Sequence, residues 1–249
     1  MAQPLVGSIP RGASGRRGAH YGEGMYVPNH FRLPDEYTSH LLTTARAGNL
    51  VTCHDDGPDA TLVPFFHDAE RDVLVTHLVR NNPQAVRPVN GPAMVVLDEA
   101  DAYVSPLWYA TNEKLPNVPT WDYITVHVWG TMRVDPSPAA ALEAARRLTG
   151  QFEGGDVLDM VGQQKLERMA RSIVAVEVSV ERIEGKAKMS QNRHPDDIRS
   201  LAEALEASGE SELVNYLRTV SLPHAEERYA LISELRGGKA VDVRLSPAD

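Results

Sequence analysis

Short strand-like runs follow one another through the middle of this chain, with turn residues rather than helices between them. Asn49–His54 and Ala60–Phe66 flank the turn-rich run Asp55–Asp59, and Asp72–His77 follows another polar turn. Strands joined by short turns pair antiparallel, because a parallel pair needs a crossover of about a dozen residues or more. This order favours a mainly β fold with added helices (α+β), built as a small closed or partly closed antiparallel barrel. It disfavours a doubly wound α/β sheet, for which no phosphate-binding glycine motif is present either.

Three longer runs complete the predicted strands. Ala93–Asp98 and Ala102–Ser105 form a fourth strand, interrupted at residues 99–101. Trp121–Val134 is the longest strand, and Ile173–Ile183 alternates regularly between two sets of side chains. Because side chains alternate across a strand, each of these runs is expected to bury one face and leave the other free.

Helical patterns flank the strands and dominate the last quarter of the chain. Ser137-Pro138 is a favoured helix start, a hydroxyl cap followed by proline. The predicted helices span Asp35–Ala47, residues 137–152, Gln163–Arg171, Pro195–Ala207, Glu210–Thr219 and His224–Leu235.

These patterns divide the chain into four parts. Residues 25–192 contain the predicted barrel, and residues 193–239 form a helical segment that packs on the barrel or on a second subunit. Residues 240–249 are a tail. Residues 1–24 are rich in glycine, proline and arginine without an apolar stretch, which predicts a disordered extension rather than a secretory signal.

Charge and cysteine usage restrict the function classes. The formal net charge is −9, so the sequence gives no support for a phosphate-gripping DNA-binding face. The sequence contains no run of about 18 apolar residues, so it predicts no transmembrane helix. Cys53 is the only cysteine, which rules out an intramolecular disulfide and fits a cytoplasmic location.

A candidate anion site follows the strand that ends near His77. Arg80 precedes Asn82-Pro83, which begins a turn or short helix whose free backbone N–H groups suit a phosphate or carboxylate. Thr76 and Arg80 would add a hydroxyl and a charged donor. The alternative is a polar connection in which Asn82 only caps the helix.

Aromatic residues are concentrated between positions 103 and 123. Five of them fall in this stretch of a chain that is only 6% aromatic, namely Tyr103, Trp108, Tyr109, Trp121 and Tyr123. Aromatic clusters usually form core. Because these flank a proline-containing loop, the pattern favours stacking on a flat ligand or a dimer interface.

The run Lys186–Asn192 follows the last long predicted strand and mixes two lysines with small polar residues. It is either an anion-contacting segment or a solvated exit from the barrel. His127 is a lone strand histidine, more often hydrogen-bonded than a ligand. The histidines and Cys53 show no metal-ligand spacing.

Several of these segments together resemble the PaiB-type family, the FMN-binding negative transcriptional regulators. The similarity spans about residues 25–192. The matching segments are Met25-Tyr26-Val27-Pro28-x-His30-Phe31, Arg80-x-Asn82-Pro83-Gln84, Tyr103-Val104-Ser105-Pro106-x-Trp108-Tyr109, Pro119-Thr120-Trp121-x-Tyr123, Val126-His127-Val128-x-Gly130 and Glu184-Gly185-Lys186-x-Lys188-x-Ser190-Gln191-Asn192. The resemblance implies an FMN-binding split barrel, which is a Greek-key-like antiparallel barrel, in a homodimer with the flavin at the subunit interface.

The resemblance also implies which residues approach the cofactor. Those near its anionic end are Thr76, His77, Arg80 and Asn82. Those near its ring or in a substrate cavity are Ser105, Trp108, Trp121 and Tyr123. The C-terminal strand would contribute Lys188, Ser190 and Gln191.

This chain departs from the family pattern around the implied cavity. Leu62 replaces a histidine, Ala85 a tryptophan, and Asp122 the asparagine of Pro-Thr-Trp-Asn-Tyr. Haem-dependent piperazate synthases, which form an N–N bond, resemble the same family. In them the histidine aligned with His77 is the implied axial ligand of haem b, a role that suits a neutral imidazole.

Three functions therefore stay open at the level of sequence. The first is an FMN-binding flavoprotein or regulator, as a flavin-dependent oxidoreductase or without catalysis. The second is a haem-dependent enzyme acting on a small-molecule substrate, with His77 as its metal ligand. The third is a non-catalytic DNA-binding regulator, which the net charge disfavours.

Overall fold

The computed structural model describes residues 24–44, 47–153 and 157–237. Its strands are antiparallel and lie in two sheets. They are β1 (Ala47–His54), β2 (Gly57–Pro64), β3 (Phe66–Asp68), β4 (Val73–Val79), β5 (Ala93–Val104), β6 (Thr120–Gly130), β7 (Met132–Asp135), β8 (Ile173–Ser179) and β9 (Arg182–Lys188).

The first sheet has the order β2-β1-β5-β6-β9, and the second has the order β3-β4-β8-β7. One core fills the space between them and includes Leu50, Leu74, Leu97, Val126 and Val176, each at most 1% exposed. This arrangement confirms the predicted α+β class and the antiparallel split barrel.

The chain passes twice between the sheets at one corner of the barrel. Strands β6 and β7 are separated by Thr131, whose carbonyl accepts a 3.1 Å hydrogen bond from Ser179 N. The residue before this corner must be glycine, because a Cβ on Gly130 would lie 1.6 Å from the Ser179 carbonyl oxygen. Close backbone contact therefore fixes where the barrel splits.

Two predicted strands are corrected by this corner. Trp121–Val134 is not one strand but β6 and β7, and Ile173–Ile183 is β8 followed by the start of β9. Residues 186–188 consequently lie within a strand rather than after the last one. β5 is one continuous strand rather than an interrupted one, and residues 99–101 contain only a bulge between Asp98 and Ala100.

The α-helices of the described residues are α1 (Asp35–Thr44), α2 (Pro83–Val86), α3 (Pro138–Gly150), α4 (Gln163–Ala170), α5 (Pro195–Ala207), α6 (Ser211–Tyr216) and α7 (Leu222–Leu235). The predicted cap is confirmed, since Ser137 Oγ accepts from Ala140 N at 3.3 Å. The predicted extension over residues 1–23, the end of the first helix at residues 45–46 and the tail lie outside the described residues.

The C-terminal helices pack on the barrel of the same chain. Ile198, Leu205 and Tyr216 belong to the core cluster that contains Leu97. Ser221 Oγ also donates a 2.7 Å hydrogen bond to the Met189 carbonyl just after β9. Among the described residues, no helix is long and apolar enough to cross a membrane.

Candidate functional site

A groove of about 490 Å³ lies on the outer face of the first sheet. We call it the outer-face groove. Its lining includes Met25, Tyr26, Val96, Asp98, Asp101, Trp121, Tyr123, Thr125, His127 and Lys186. Its volume is within the range of roughly 300–1,000 Å³ that is typical of small-molecule sites.

The register of the strands places these side chains in rows across the sheet. Thr125 of β6 pairs with Asp98 on one side and Lys186 on the other. His127 lies in the next row, opposite Val96. Since alternate residues of a strand share a face, the odd-numbered residues of β6 point outward while its even-numbered residues face the core.

Aromatic side chains cluster beside the groove, around its lining residue Trp121. The Tyr103 ring stands edge-on to Trp121, with ring centres 6.4 Å apart, and similarly to Trp108 at 6.5 Å. Tyr103 and Trp121 are 48% and 53% exposed, so they are not core residues. Trp108 is half-buried and packs against the core. The aromatic concentration therefore forms an outward surface in addition to core.

Lys186 places a positive charge between two aromatic rings. Its Nζ lies 5.5 Å from the centre of the Tyr123 ring and 5.8 Å from that of Tyr26. These distances suit cation–π attraction. No described carboxylate forms a salt bridge with Lys186, so its ammonium can serve a ligand.

His127 presents an uncharged imidazole to the same groove. Burial lowers its pKa, and the positive charge of Lys186 acts in the same direction. The carboxylates of Asp98 and Glu184 oppose this change but do not outweigh it. At neutral pH the ring can therefore both donate and accept a hydrogen bond.

Thr76 and His77 lie on opposite faces of β4. Thr76 shares the inward face of Leu74 and Leu78 and is fully buried, with no described partner for its hydroxyl. His77 shares the outer face of Val75, and burial lowers its pKa. Its Nδ1 is buried without a hydrogen bond from any described residue. One ligand cannot contact both side chains from the same side of the sheet.

Arg80 is engaged in holding parts of the chain together. Its Nε donates to the Arg171 carbonyl at 2.7 Å, and its Nη2 donates to the carbonyls of Pro136 and Ile173 at 2.8 and 3.0 Å. These bonds tie the end of β4 to the segments before α3 and β8. Its implied contact with a cofactor stays a prediction.

The Asn82-Pro83-Gln84 run closes one end of the barrel. Asn82 Oδ1 caps α2 by accepting from Gln84 N at 2.9 Å. Gln84 is buried, and its Nε2 donates to the Leu50 carbonyl at 3.0 Å and to Thr52 Oγ1 at 2.9 Å. The capping alternative from the sequence is thus present, and α2 has only four residues.

The C-terminal motif residues lie at the end of β9. Ser190 and Gln191 are buried, and Gln191 Nε2 donates to the Ala187 carbonyl at 2.7 Å. Ser190 Oγ donates to Asp122 Oδ2 at 2.8 Å. Lys188 Nζ donates to Thr120 Oγ1 at 2.6 Å. These groups bind one another, and their contact with a cofactor stays a prediction.

Of the remaining predicted residues, Ser105 caps a short 3-10 turn, Pro106–Trp108, by accepting from Leu107 N at 3.3 Å. Trp121 and Tyr123 are the two predicted site residues that line the outer-face groove. Lys186, His127 and Thr125 also line it but were not among the predicted cofactor contacts. The alternation of apolar and polar residues in the sequence of β6 shows which of its side chains share the outward face. The sequence does not show that β9 pairs with β6.

The chain matches a known family over most of the barrel. The family described as "Putative FMN-binding domain" matches residues 25–182. Protease synthase and sporulation protein PAI 2 of Bacillus subtilis (strain 168) is 28% identical over 189 residues, covering 73% of this chain and 89% of that protein.

Two further proteins are similar to part of this chain. The uncharacterized protein YKL070W of Saccharomyces cerevisiae is 30% identical over 135 residues, which cover 44% of this chain and 79% of that one. The crystal structure of the conserved hypothetical protein Rv2991 from Mycobacterium tuberculosis is 13% identical, with a TM-score of 0.48. That match covers 66% of this chain and 90% of the other.

Proposed function

This chain belongs to the FMN-binding domain family, and from that premise we propose that it is a flavoprotein that holds FMN in the outer-face groove. The observation that carries the proposal is the combination of outward aromatic rings with the ammonium of Lys186, which no described carboxylate pairs. A flat ring system with an anionic tail requires both an apolar surface and a positive charge.

The groups of the groove fit the parts of FMN by their chemistry. Trp121 and Tyr123 supply ring surface for the isoalloxazine, and Thr125 and His127 supply hydrogen-bonding groups for its polar edge. Lys186 supplies the charge for the phosphate. We assign the phosphate to Lys186 rather than to Arg80, because Nε and Nη2 of Arg80 already donate to backbone carbonyls. Bound FMN would supply electron-transfer chemistry.

The proposed active form is a homodimer. Tyr26, Tyr103 and Trp121 are 81%, 48% and 53% exposed around the groove, and clustered exposed apolar side chains are typical of an interaction surface. A second copy would cover these rings and supply the other wall of the site. The oligomeric state in solution, measured by light scattering, tests this part.

Haem is the second candidate, and one observation favours it. His77 has a half-buried imidazole whose lowered pKa keeps it neutral, as a metal ligand must be. Against it, axial histidines usually donate Nδ1–H to an acceptor, and among the described residues His77 Nδ1 has none. We therefore place haem ligation, and with it N–N bond-forming chemistry, behind flavin binding.

The absorbance spectrum of purified protein, after each cofactor is offered and the excess removed, separates the two candidates. Flavin bands at about 375 and 450 nm support FMN, whereas a Soret band at about 400 nm supports haem, since each cofactor has its own absorption spectrum. A protein that retains neither cofactor contradicts both.

A further inference from the structure

A buried carboxylate lies between the two groove aromatics of β6. Asp122 is 1% exposed and points inward, while its neighbours Trp121 and Tyr123 point into the outer-face groove. Its Oδ2 accepts a 2.8 Å hydrogen bond from Ser190 Oγ. Its Oδ1 is buried and has no hydrogen bond from the described residues.

The ammonium of Lys188 is hydrogen-bonded to the first residues of β6. Its Nζ donates to Thr120 Oγ1 at 2.6 Å and to the Trp121 carbonyl oxygen. It also lies 3.8 Å from Asp122 Oδ1. One charged group thus holds three consecutive residues, and among the described residues Asp122 is the carboxylate that pairs with it.

The surroundings of Asp122 contain three other titratable or charged groups. Lys188 comes from β9, Arg193 from the segment before α5, and Tyr109 from the residue after the 3-10 turn. Arg193 stacks over the Tyr109 ring at 4.6 Å and donates to Asn117 Oδ1 at 2.6 Å. The Tyr109 hydroxyl is buried without a described hydrogen-bond partner.

Burial raises the pKa of Asp122 to about 6, although Ser190, Lys188 and Arg193 act in the opposite direction. The carboxylate therefore changes charge close to neutral pH. Because Asp122 lies 3.8 Å from Lys188 Nζ, a change in its charge alters the electrostatic attraction on that ammonium. Lys188 in turn is hydrogen-bonded to the Trp121 carbonyl, so the backbone there is affected as well.

We propose that Asp122 is a positioning residue of the outer-face groove, whose charged form holds Lys188 and thereby fixes Trp121 and Tyr123. When Asp122 binds a proton, Lys188 loses its ionic partner and the start of β6 is held less firmly. The groove is then less well organised for a ligand. The consequence for FMN rests on the proposed function, whereas the movement of Trp121 does not.

The first test follows the Trp121 indole N–H by NMR between pH 4.5 and 8.5, without any ligand. We expect a chemical-shift change centred near the titration of Asp122 in the wild type and none in Asp122→Asn, which keeps the shape but carries no charge. Ser190→Ala should raise the midpoint, because it removes a hydrogen bond to the charged form. A change that persists unaltered in Asp122→Asn, or none in the wild type, overturns the proposal.

The second test compares FMN dissociation constants at pH 5 and pH 8. The phosphate of FMN itself titrates at about pH 6. The informative quantity is therefore how much the pH-dependent change in the dissociation constant differs between the wild type and Asp122→Asn. We expect the weakening at pH 5 to be about fivefold larger in the wild type, because only the wild type loses a charge at residue 122 between pH 8 and pH 5, whereas Asp122→Asn lacks that charge at both pH values.

The outcomes separate the two claims. Equal pH dependence of FMN binding in both proteins overturns the positioning role and leaves flavin binding intact. Absence of FMN binding at either pH, with the Trp121 change still present, overturns the proposed function and leaves the positioning role intact.

Discussion

Lys186 Nζ lies 5.5 Å from the centre of the Tyr123 ring, on a face of the first sheet that the chain does not cover with its own described helices. The two residues come from neighbouring strands, β9 and β6, whose register brings a cation beside an aromatic surface. A core contact would not need this charge. The pair therefore defines the centre of the proposed flavin site.

The stability of the protein should depend on pH through Asp122. Its pKa in the folded state is raised from 3.8 to about 6, so this group stabilises the fold fully below about pH 4 and ceases to do so as the pH rises through about 6. Asp122→Asn should then be more stable than the wild type at pH 8, by up to about 3 kcal/mol, and equal to it near pH 4. Urea unfolding at the two pH values measures the difference, and a constant difference would count against a buried charge.

Gly130→Ala should be strongly destabilising. The added Cβ would lie 1.6 Å from the Ser179 carbonyl oxygen, where β6 meets β8. The backbone must move at the corner of the barrel, and we expect a loss of more than about 3 kcal/mol in the free energy of unfolding. Gly150→Ala is the matched control, because a Cβ added at Gly150 would meet nothing within 4 Å. Similar effects of the two substitutions would contradict the described corner.

Arg80→Ala should reduce stability rather than FMN affinity. It removes the hydrogen bonds to the Pro136, Arg171 and Ile173 carbonyls, and we expect a cost of about 2–3 kcal/mol. Thermal unfolding and an FMN titration of the folded variant check the two parts. Arg133→Ala, at an exposed arginine of β7, is the control. A variant of wild-type stability with greatly weakened FMN binding would contradict this assignment and indicate that Arg80 binds the phosphate.

His77→Ala separates flavin from haem. Because His77 is on the outer face of the second sheet, its loss should leave FMN affinity within about twofold of the wild type. If haem is bound instead, removal of the axial ligand should abolish or shift the Soret band. An FMN titration of both proteins measures the first outcome, and their absorbance spectra after haem addition measure the second.

The sequence is sufficient for most strand positions, because alternation of apolar residues reports burial directly. It does not show where a strand leaves one sheet for the other. The alternation of Val126, Val128 and Met132 continues through Gly130, and only the close approach of Ser179 reveals the corner. The predicted strands Trp121–Val134 and Ile173–Ile183 consequently each run across two strands. The predicted strand Ala60–Phe66 does the same, since it joins the end of β2 to the start of β3 in the other sheet.

The lining of the outer-face groove is predictable in part for a related reason. Trp121 and Tyr123 stand out because aromatic residues in a loop-flanked strand are conspicuous. The roles of Arg80, Gln84 and Ser190 are not predictable, since a polar side chain that binds distant parts of the chain has the same local pattern as one that binds a ligand. The Arg80 partner Ile173 lies 93 positions away in the chain.

FMN titration of four proteins, monitored by flavin fluorescence, tests the location of the site most directly. These are the wild type, Lys186→Ala, His77→Ala and the exposed control Lys165→Ala. We predict that Lys186→Ala weakens binding about tenfold or more, since it removes the charge assigned to the phosphate, while the other two variants bind as the wild type does. Wild-type affinity in Lys186→Ala, with binding lost in His77→Ala, would contradict the outer-face groove as the flavin site.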